Sequence, residues 1–383
     1  SKRTTMFGVD AQVGGLLALR ILEKEIKQGG FGLTGNAAMM CPVIKQYYSG
    51  GGGVTTTVST LPVRITDTGG TTPDIIDTFY SGSALGAAPL HITLDMPTPS
   101  NKTNVNTVNG LGVCDFVLFA APDGSKQCSL LQVTDTKDTN PGGGGAGGTA
   151  IFFLTGSGQS NYNPPGGAQT GYFPAGGYDT NDVIINMGSF TNLRLQVAKT
   201  AGADEYFLRQ TTVPNSLGSG ASACAGAPAA TPTADLVGNV VDIQARYGVA
   251  GDAVVSGVIN QNVDCWTDAV DLTAVATGPD TRVTGPNNSY CYGKNWANLD
   301  ASAGASTLKN RIKAVRVAVA VRSALPEQPA VPGGACDTTT AAPVGWAGGP
   351  TMSGVTAVAN WQCYRYKVYQ TITPLVNVIW AKS

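Results

Sequence analysis

A single histidine, His91, stands among 383 residues, and that scarcity limits the chemistry available to this chain. One imidazole excludes multi-histidine metal sites and leaves little for histidine acid–base catalysis. Pairing of His91 with Asp95 and a serine would build a nucleophilic triad. However, the sequence has no GxSxG elbow, and a lone histidine in Pro89-Leu90-His91-Ile92-Thr93 reads as a structural strand residue. Gly30-Phe31-Gly32-Leu33-Thr34-Gly35 matches GxGxxG. A dinucleotide site needs a strand before that motif and a helix after it, so that phosphate meets a helix N-terminus. Here a helical pattern precedes and none follows, so the motif reads as a helix-ending turn. Asp135, Asp138 and Asn140 in one loop, and Asp179 with Asp182 in another, are candidate calcium ligands among Gly-rich carbonyls. Neither follows EF-hand spacing, and solvated turn residues are the preferred reading. The chain is therefore expected not to be an enzyme and to carry no cofactor, with calcium as the alternative.

Lys309, Arg311, Lys313, Arg316 and Arg322 form the densest basic run, and Arg365 with Lys367 is expected to join it across a sheet. Lys313, Arg316, Arg322, Arg365 and Lys367 are thus the candidate patch for DNA or another surface ligand. A net charge of −1 and the lack of interleaved aromatics favour a solvated sheet face instead. The eight cysteines include no CxxC pair, which points to disulfides in an oxidising compartment rather than zinc. Pairing by proximity in sequence joins Cys114 to Cys128, Cys265 to Cys291 and Cys336 to Cys363. Elimination leaves Cys41 with Cys224.

The elements that would position these residues follow from patterning. Charged residues are only 13% of the chain and apolar ones 42%, which excludes a long coiled coil and a polyampholytic disordered chain. Residues 5–28 predict the one long helix. Met6, Val9, Val13, Leu16 and Leu17 form one apolar stripe at 3/4 spacing, and Leu19, Leu22 and Ile26 form a second, rotated stripe. Gly14-Gly15 between them predict a kink or a close contact. Beyond residue 40, alternation predicts strands over 54–65, 114–120, 128–133, 183–185, 193–198, 206–211, 240–247, 315–321 and 364–372. Ala121–Gln127, with Pro-Asp-Gly, turns the second into the third as a hairpin. Gly-, Asn- and Pro-rich stretches between strands are expected to bury little and to decorate the surface. No run of about 18 apolar residues spans a membrane.

Several of these segments together resemble PilW-like type IV minor pilins. Ile21-Leu22-Glu23-Lys24-Glu25-Ile26-Lys27-Gln28-Gly29-Gly30-Phe31-Gly32 is similar to the close of that family's helix, and Asn239-Val240-Val241-Asp242-Ile243-Gln244-Ala245-Arg246-Tyr247-Gly248-Val249 to its central strand. Ile312-Lys313-Ala314-Val315-Arg316-Val317, continuing to Val321-Arg322-Ser323, resembles the next strand. Tyr364 to Tyr369, then Thr373-Pro374-Leu375 and Asn377, resembles the closing one. Val376 departs from the pattern, standing where the family usually carries a basic residue.

The resemblance implies an α+β, pilin-like fold: a long N-terminal helix packed on an antiparallel β-sheet, with large Gly/Ser/Thr-rich loop insertions. Residues 1–30 would be the C-terminal part of the pilin helix. Residues 31–383 would be the β-rich globular domain, with insertions near 134–182, 212–235 and 326–360. Leu19, Leu22 and Ile26 would bury against the sheet, while Met6, Val9, Val13 and Leu16 would face neighbouring subunits. The implied function is a minor pilin that helps initiate pilus assembly and forms part of the tip complex, serving twitching motility, adhesion and sometimes DNA uptake. The alternatives are a minor pseudopilin of a type II secretion system and a tip-borne adhesin or DNA-binding module. Implied partners are the other minor pilins and the major pilin, with an inner-membrane anchor through an apolar helix expected before Ser1. The implied localisation is the inner membrane and periplasm before assembly, then the cell surface.

Overall fold

The computed structural model describes residues 2–33, 41, 44–48, 54–58, 61–67, 72–83, 89–137, 149–154, 160–166, 169–212, 224, 233–250, 254–255, 258–259, 262–267, 270–271, 294–295, 311–329, 331 and 334–380. One long helix, α1 (Lys2–Gln28), opens the chain, and a short one, α2 (Val376–Trp380), closes the described part. Between them run β1 (Ile44–Tyr48), β2 (Val54–Val58), β3 (Val63–Thr66), β4 (Ile75–Tyr80), β5 (Pro89–Leu94), β6 (Lys102–Val105) and β7 (Phe116–Ala120). Next come β8 (Cys128–Gln132), β9 (Asp135–Lys137), β10 (Ala150–Phe152), β11 (Val183–Gly188), β12 (Thr191–Lys199), β13 (Tyr206–Thr212), β14 (Thr233–Gly238) and β15 (Val240–Val249). The last are β16 (Val254–Val255), β17 (Val258–Ile259), β18 (Cys265–Thr267), β19 (Val270–Asp271), β20 (Lys294–Asn295), β21 (Ile312–Arg322) and β22 (Tyr366–Pro374).

The strands form a nine-stranded sheet (β2-β1-β8-β7-β11-β5-β6-β10-β9), a five-stranded sheet (β14-β13-β12-β4-β3), a four-stranded sheet (β18-β15-β21-β22) and two small ribbons. Every pairing is antiparallel except β1 with β8. The expected α+β plan of one helix on one sheet is therefore wrong. The chain is mostly β, with 44% of the structure in strands and 13% helical, spread over three larger sheets. Alternation within each strand was readable, but the number of sheets is set by long-range pairings that local pattern does not encode.

The strands of the nine-stranded sheet show why it stands apart. Phe116-Val117-Leu118-Phe119-Ala120 and Cys128-Ser129-Leu130-Leu131-Gln132 are buried at every position. Phe116, Leu118 and Leu130 enter one apolar cluster, and Val117, Phe119 and Leu131 enter another on the opposite face. Continuous apolar runs are what a strand covered on both faces requires. Much of the second cover comes from a segment expected to be surface loop: Tyr172, Phe173 and Tyr178 are almost wholly buried there. Between 326 and 360, Trp346, Met352, Val355 and Val358 likewise bury themselves against the four-stranded sheet. These insertions are packed layers. Their Gly and Pro content hid a handful of large apolar anchors, each of which buries about 2 kcal/mol of transfer free energy.

Three disulfides lie wholly among the described residues: Cys41–Cys128, Cys114–Cys224 and Cys336–Cys363. The last matches the pairing by proximity. The expected Cys114–Cys128 and Cys41–Cys224 bridges are wrong, because the β7–β8 hairpin separates the first pair. Phe119 stands opposite Ser129, which puts Cys128 at the turn end, while the Cys114 amide donates to Val133 O at the open end. Cys265 is oxidised as well, and its expected partner Cys291 lies outside the described residues.

Candidate assembly surface

Residues 16–28 (LLALRILEKEIKQ) combine strong helix formers with no proline, and the helix runs unbroken through Gly14-Gly15. Its inner edge is Ala11, Gly15, Ala18, Leu22 and Ile26, all buried and spaced by three or four residues. Ala11, Ala18, Leu22 and Ile26 share one core with Val63, Ile65 and Ile76 of the five-stranded sheet and Val315, Val317, Val319 and Val321 of the four-stranded one. The helix thus sits across two sheets. Leu19 is half-buried against the same core. The glycines are contact points rather than a kink. A Cβ on Gly15 would lie 2.2 Å from Tyr369 Cε2, and one on Gly14 would lie 3.6 Å from Val237 Cγ1.

The helix end is held from the other terminus. The Asn377 side-chain amide donates to the carbonyls of Lys27, Gln28 and Gly29, and Gly30 takes φ +82°. Those carbonyls would otherwise be the orphans of a helix C-terminus. Gly32 also has positive φ, so the GxGxxG stretch begins as a helix-ending turn. Glu25 is buried, where Tyr80 OH donates to its Oε2 at 3.3 Å and Lys24 Nζ lies 3.5 Å from Oε1. Burial, then the Glu25 charge, raises the Tyr80 phenol well above its ordinary value.

The opposite side of α1 is apolar and open. Val13 is 61% exposed, Leu16 57% and Leu17 49%. Met6 and Val9 lie farther up the same helix, in the stretch where the backbone alone is described. Towards the C-terminal end the exposed side becomes charged, with Arg20, Lys24 and a Lys27–Glu23 ion pair at 2.5 Å.

The basic residues singled out in sequence do not gather. Lys313 is buried, and Lys367 stands opposite Val321 on the side of the sheet facing α1. Arg365 pairs with Glu327. Arg322 is buried between the rings of Tyr206 and Tyr364, at 5.1 and 4.4 Å from their centroids, with its Nη1 2.6 Å from Asp204 Oδ2. Burial pushes the Asp204 carboxyl up, but Arg322 and Lys199 outweigh it and hold the carboxyl below its ordinary value. Of the five, Arg316 alone joins a different group, that of Arg246 and Trp346, which the run of basic residues did not indicate. Pairing β15 with β21 in register would have found Arg246 directly opposite it.

At Asp179 and Asp182, two of the candidate calcium ligands, Lys126 Nζ lies 2.7 and 2.6 Å from the carboxylate oxygens. Asp135 is exposed on β9, and Asp138 and Asn140 lie outside the described residues. Among the described residues, no three His, Cys, Asp or Glu side chains come together. His91 is exposed on β5 with its backbone bonded to Asn106, and Asp95 instead accepts from the Thr180 amide. Among the described residues, no triad forms around the imidazole. No family model, curated protein or solved structure matches the chain.

Proposed function

We propose that this chain is an assembly subunit rather than a catalyst, specifically a minor pilin that helps initiate a type IV pilus. One observation carries the reading: α1 buries Ala18, Leu22 and Ile26 while leaving Val13, Leu16 and Leu17 open on the other side. Isolated apolar residues on a surface are ordinary, but three within two turns of one helix form a stripe that a second helix can cover. The ordered resemblance of the helix end and three strands to PilW-like proteins supplies the identity of that neighbour, a sister subunit. The single-sheet plan plays no part in this reading. Disulfide fastening agrees with exposure to an oxidising compartment.

The test is made in the cell that carries the gene. Deletion is expected to lower the number of pili without loss of the major pilin, and Leu16→Asp in the chromosomal copy is expected to reproduce that defect with normal protein level. Normal piliation and twitching in both strains overturns the reading. A loss of type II secretion with normal piliation assigns the chain to a pseudopilin instead.

A further inference from the structure

Strand β22 closes the four-stranded sheet, and its outer edge meets no further strand. The Ser323 amide donates to Arg365 O and the Leu375 amide to Lys313 O, each at 2.8 Å, and the β21–β22 register runs between them without a shift. Odd-numbered residues of β22 therefore face β21, and Tyr366, Val368, Gln370 and Ile372 turn their N–H and C=O groups the other way. Among the described residues, nothing bonds to those four amides and carbonyls. Sheet edges are normally blunted by a bulge, by proline or by charge. Here nine residues run straight, Pro374 stands only at the far end, and Lys367 is the one charged side chain. Ile372 is 52% exposed. A groove of about 1330 Å³ adjoins the start of the strand, walled by Ala11 of α1, Pro326, Pro329, Tyr364, Arg365 and Lys367.

We propose that this edge takes an extended segment of a partner protein as a fifth strand, with apolar residues beside Val368 and Ile372 and a carboxylate at Lys367. In strand addition, main-chain hydrogen bonds supply the affinity, and side chains at alternate positions supply the choice of partner. On the face away from α1 those side chains extend the row of Val368 and Ile372. On the α1 side they meet Lys367 and enter the groove. Arg365 is already paired with Glu327, whereas Lys367 is exposed and has no ion-pair partner among the described residues. One cation is thus left for an acid on the incoming strand. A second copy of β22 fits this edge less well. The strand contains no acidic residue, so pairing it with itself leaves Lys367 unanswered in every register, and Pro374 brings no N–H. The edge is separate from the open side of α1, and the inference does not depend on the pilin reading.

The experiment titrates the whole chain with a labelled, end-capped peptide of about ten residues that alternates valine and threonine around a central aspartate, read by fluorescence anisotropy. Saturable binding is expected. N-methylation of the peptide's central amides keeps the side chains but removes the donors, and is expected to weaken binding about tenfold or more. Gln370→Pro removes an outward amide, a change that edge strands tolerate on their open side, and is expected to weaken binding about fivefold or more. Where that variant does not fold, the methylated peptide on the parent chain decides alone. Exchanging the central aspartate for lysine is expected to lower affinity about threefold on the parent and to raise it on Lys367→Glu. Absence of saturable binding overturns the proposal, as does undiminished binding of the methylated peptide or equal affinity of the parent for the two central charges. Self-association of the parent that Gln370→Pro abolishes, without peptide binding, assigns the edge to a second copy and also overturns it.

Discussion

Gly15 lies flat against the ring of Tyr369, so close that a Cβ there would overlap Cε2 and Cδ2 at 2.2 and 2.3 Å. Helix propensity alone would make Gly15→Ala stabilising by about 1 kcal/mol. The overlap forces α1 or the ring to move, at a cost of roughly 1–3 kcal/mol. Gly15→Ala is therefore expected to lower stability and Gly14→Ala to raise it. In a Tyr369→Ala background the penalty at Gly15 should vanish. Urea unfolding of the parent, the three single variants and the Gly15→Ala/Tyr369→Ala double variant decides this, and equal effects of the two alanines would refute the close contact.

The two sides of α1 should answer truncation differently. Leu22→Ala empties a wholly buried position and is expected to cost about 2–5 kcal/mol. Leu16→Ala, on the open side, is expected to stay within about 0.5 kcal/mol. Chemical denaturation of the purified chains measures both.

Asp242 predicts a particular pH response. It is fully buried, its Oδ2 accepts from the Gly354 amide and its Oδ1 from Gln244, yet burial still pushes its carboxyl up to about 6. The folded chain thus holds a proton there that the unfolded chain releases near pH 4. Stability from this group is greatest below pH 4 and is lost as pH rises through about 6, a change of order 3 kcal/mol. The depressed carboxyls of Asp204 and Glu327 act oppositely, but only below about pH 4.5. Between pH 7 and 5 the parent chain should therefore gain stability on acidification, and Asp242→Asn should gain less. Identical slopes in the two chains would remove Asp242 as the source.

The disulfides should differ in worth with the length of chain they close. Replacing Cys114 and Cys224 by serine opens a separation of 110 residues, against 27 for Cys336 and Cys363. Loop-closure entropy predicts a loss of about 4–5 kcal/mol for the first and roughly 1 kcal/mol less for the second. Unfolding of the two double variants under non-reducing conditions tests the order.

Local features were legible in sequence because their causes are local. The turn at Pro122-Asp123-Gly124 did join two strands, and Val315, Val317, Val319 and Val321 do share one face, with Ala318 and Ala320 on the other. Strict alternation failed at Val241. There the register shifts between Val240 and Asp242, just after Asn239 with φ +63°, so Val241 packs with Ala318 and Ala320 rather than with Ile243. A bulge of this kind re-aims every side chain before it and leaves no clear mark in composition. Asp242 is buried because Met352 to Val358 fold over it, a contact more than 100 residues away in sequence. The candidate patch failed for the same reason. Spacing along one strand placed Arg316 and Arg322 together, but each has its neighbours elsewhere, Arg246 on β15 and Asp204 in the turn between β12 and β13.

Because α1 is wedged between the five- and four-stranded sheets and clasped at its lower end by Asn377, a force drawn along its axis is divided between two sheets at once. The rod cannot slide out without parting Leu22 and Ile26 from both, so mechanical extraction and global unfolding of that core are one event.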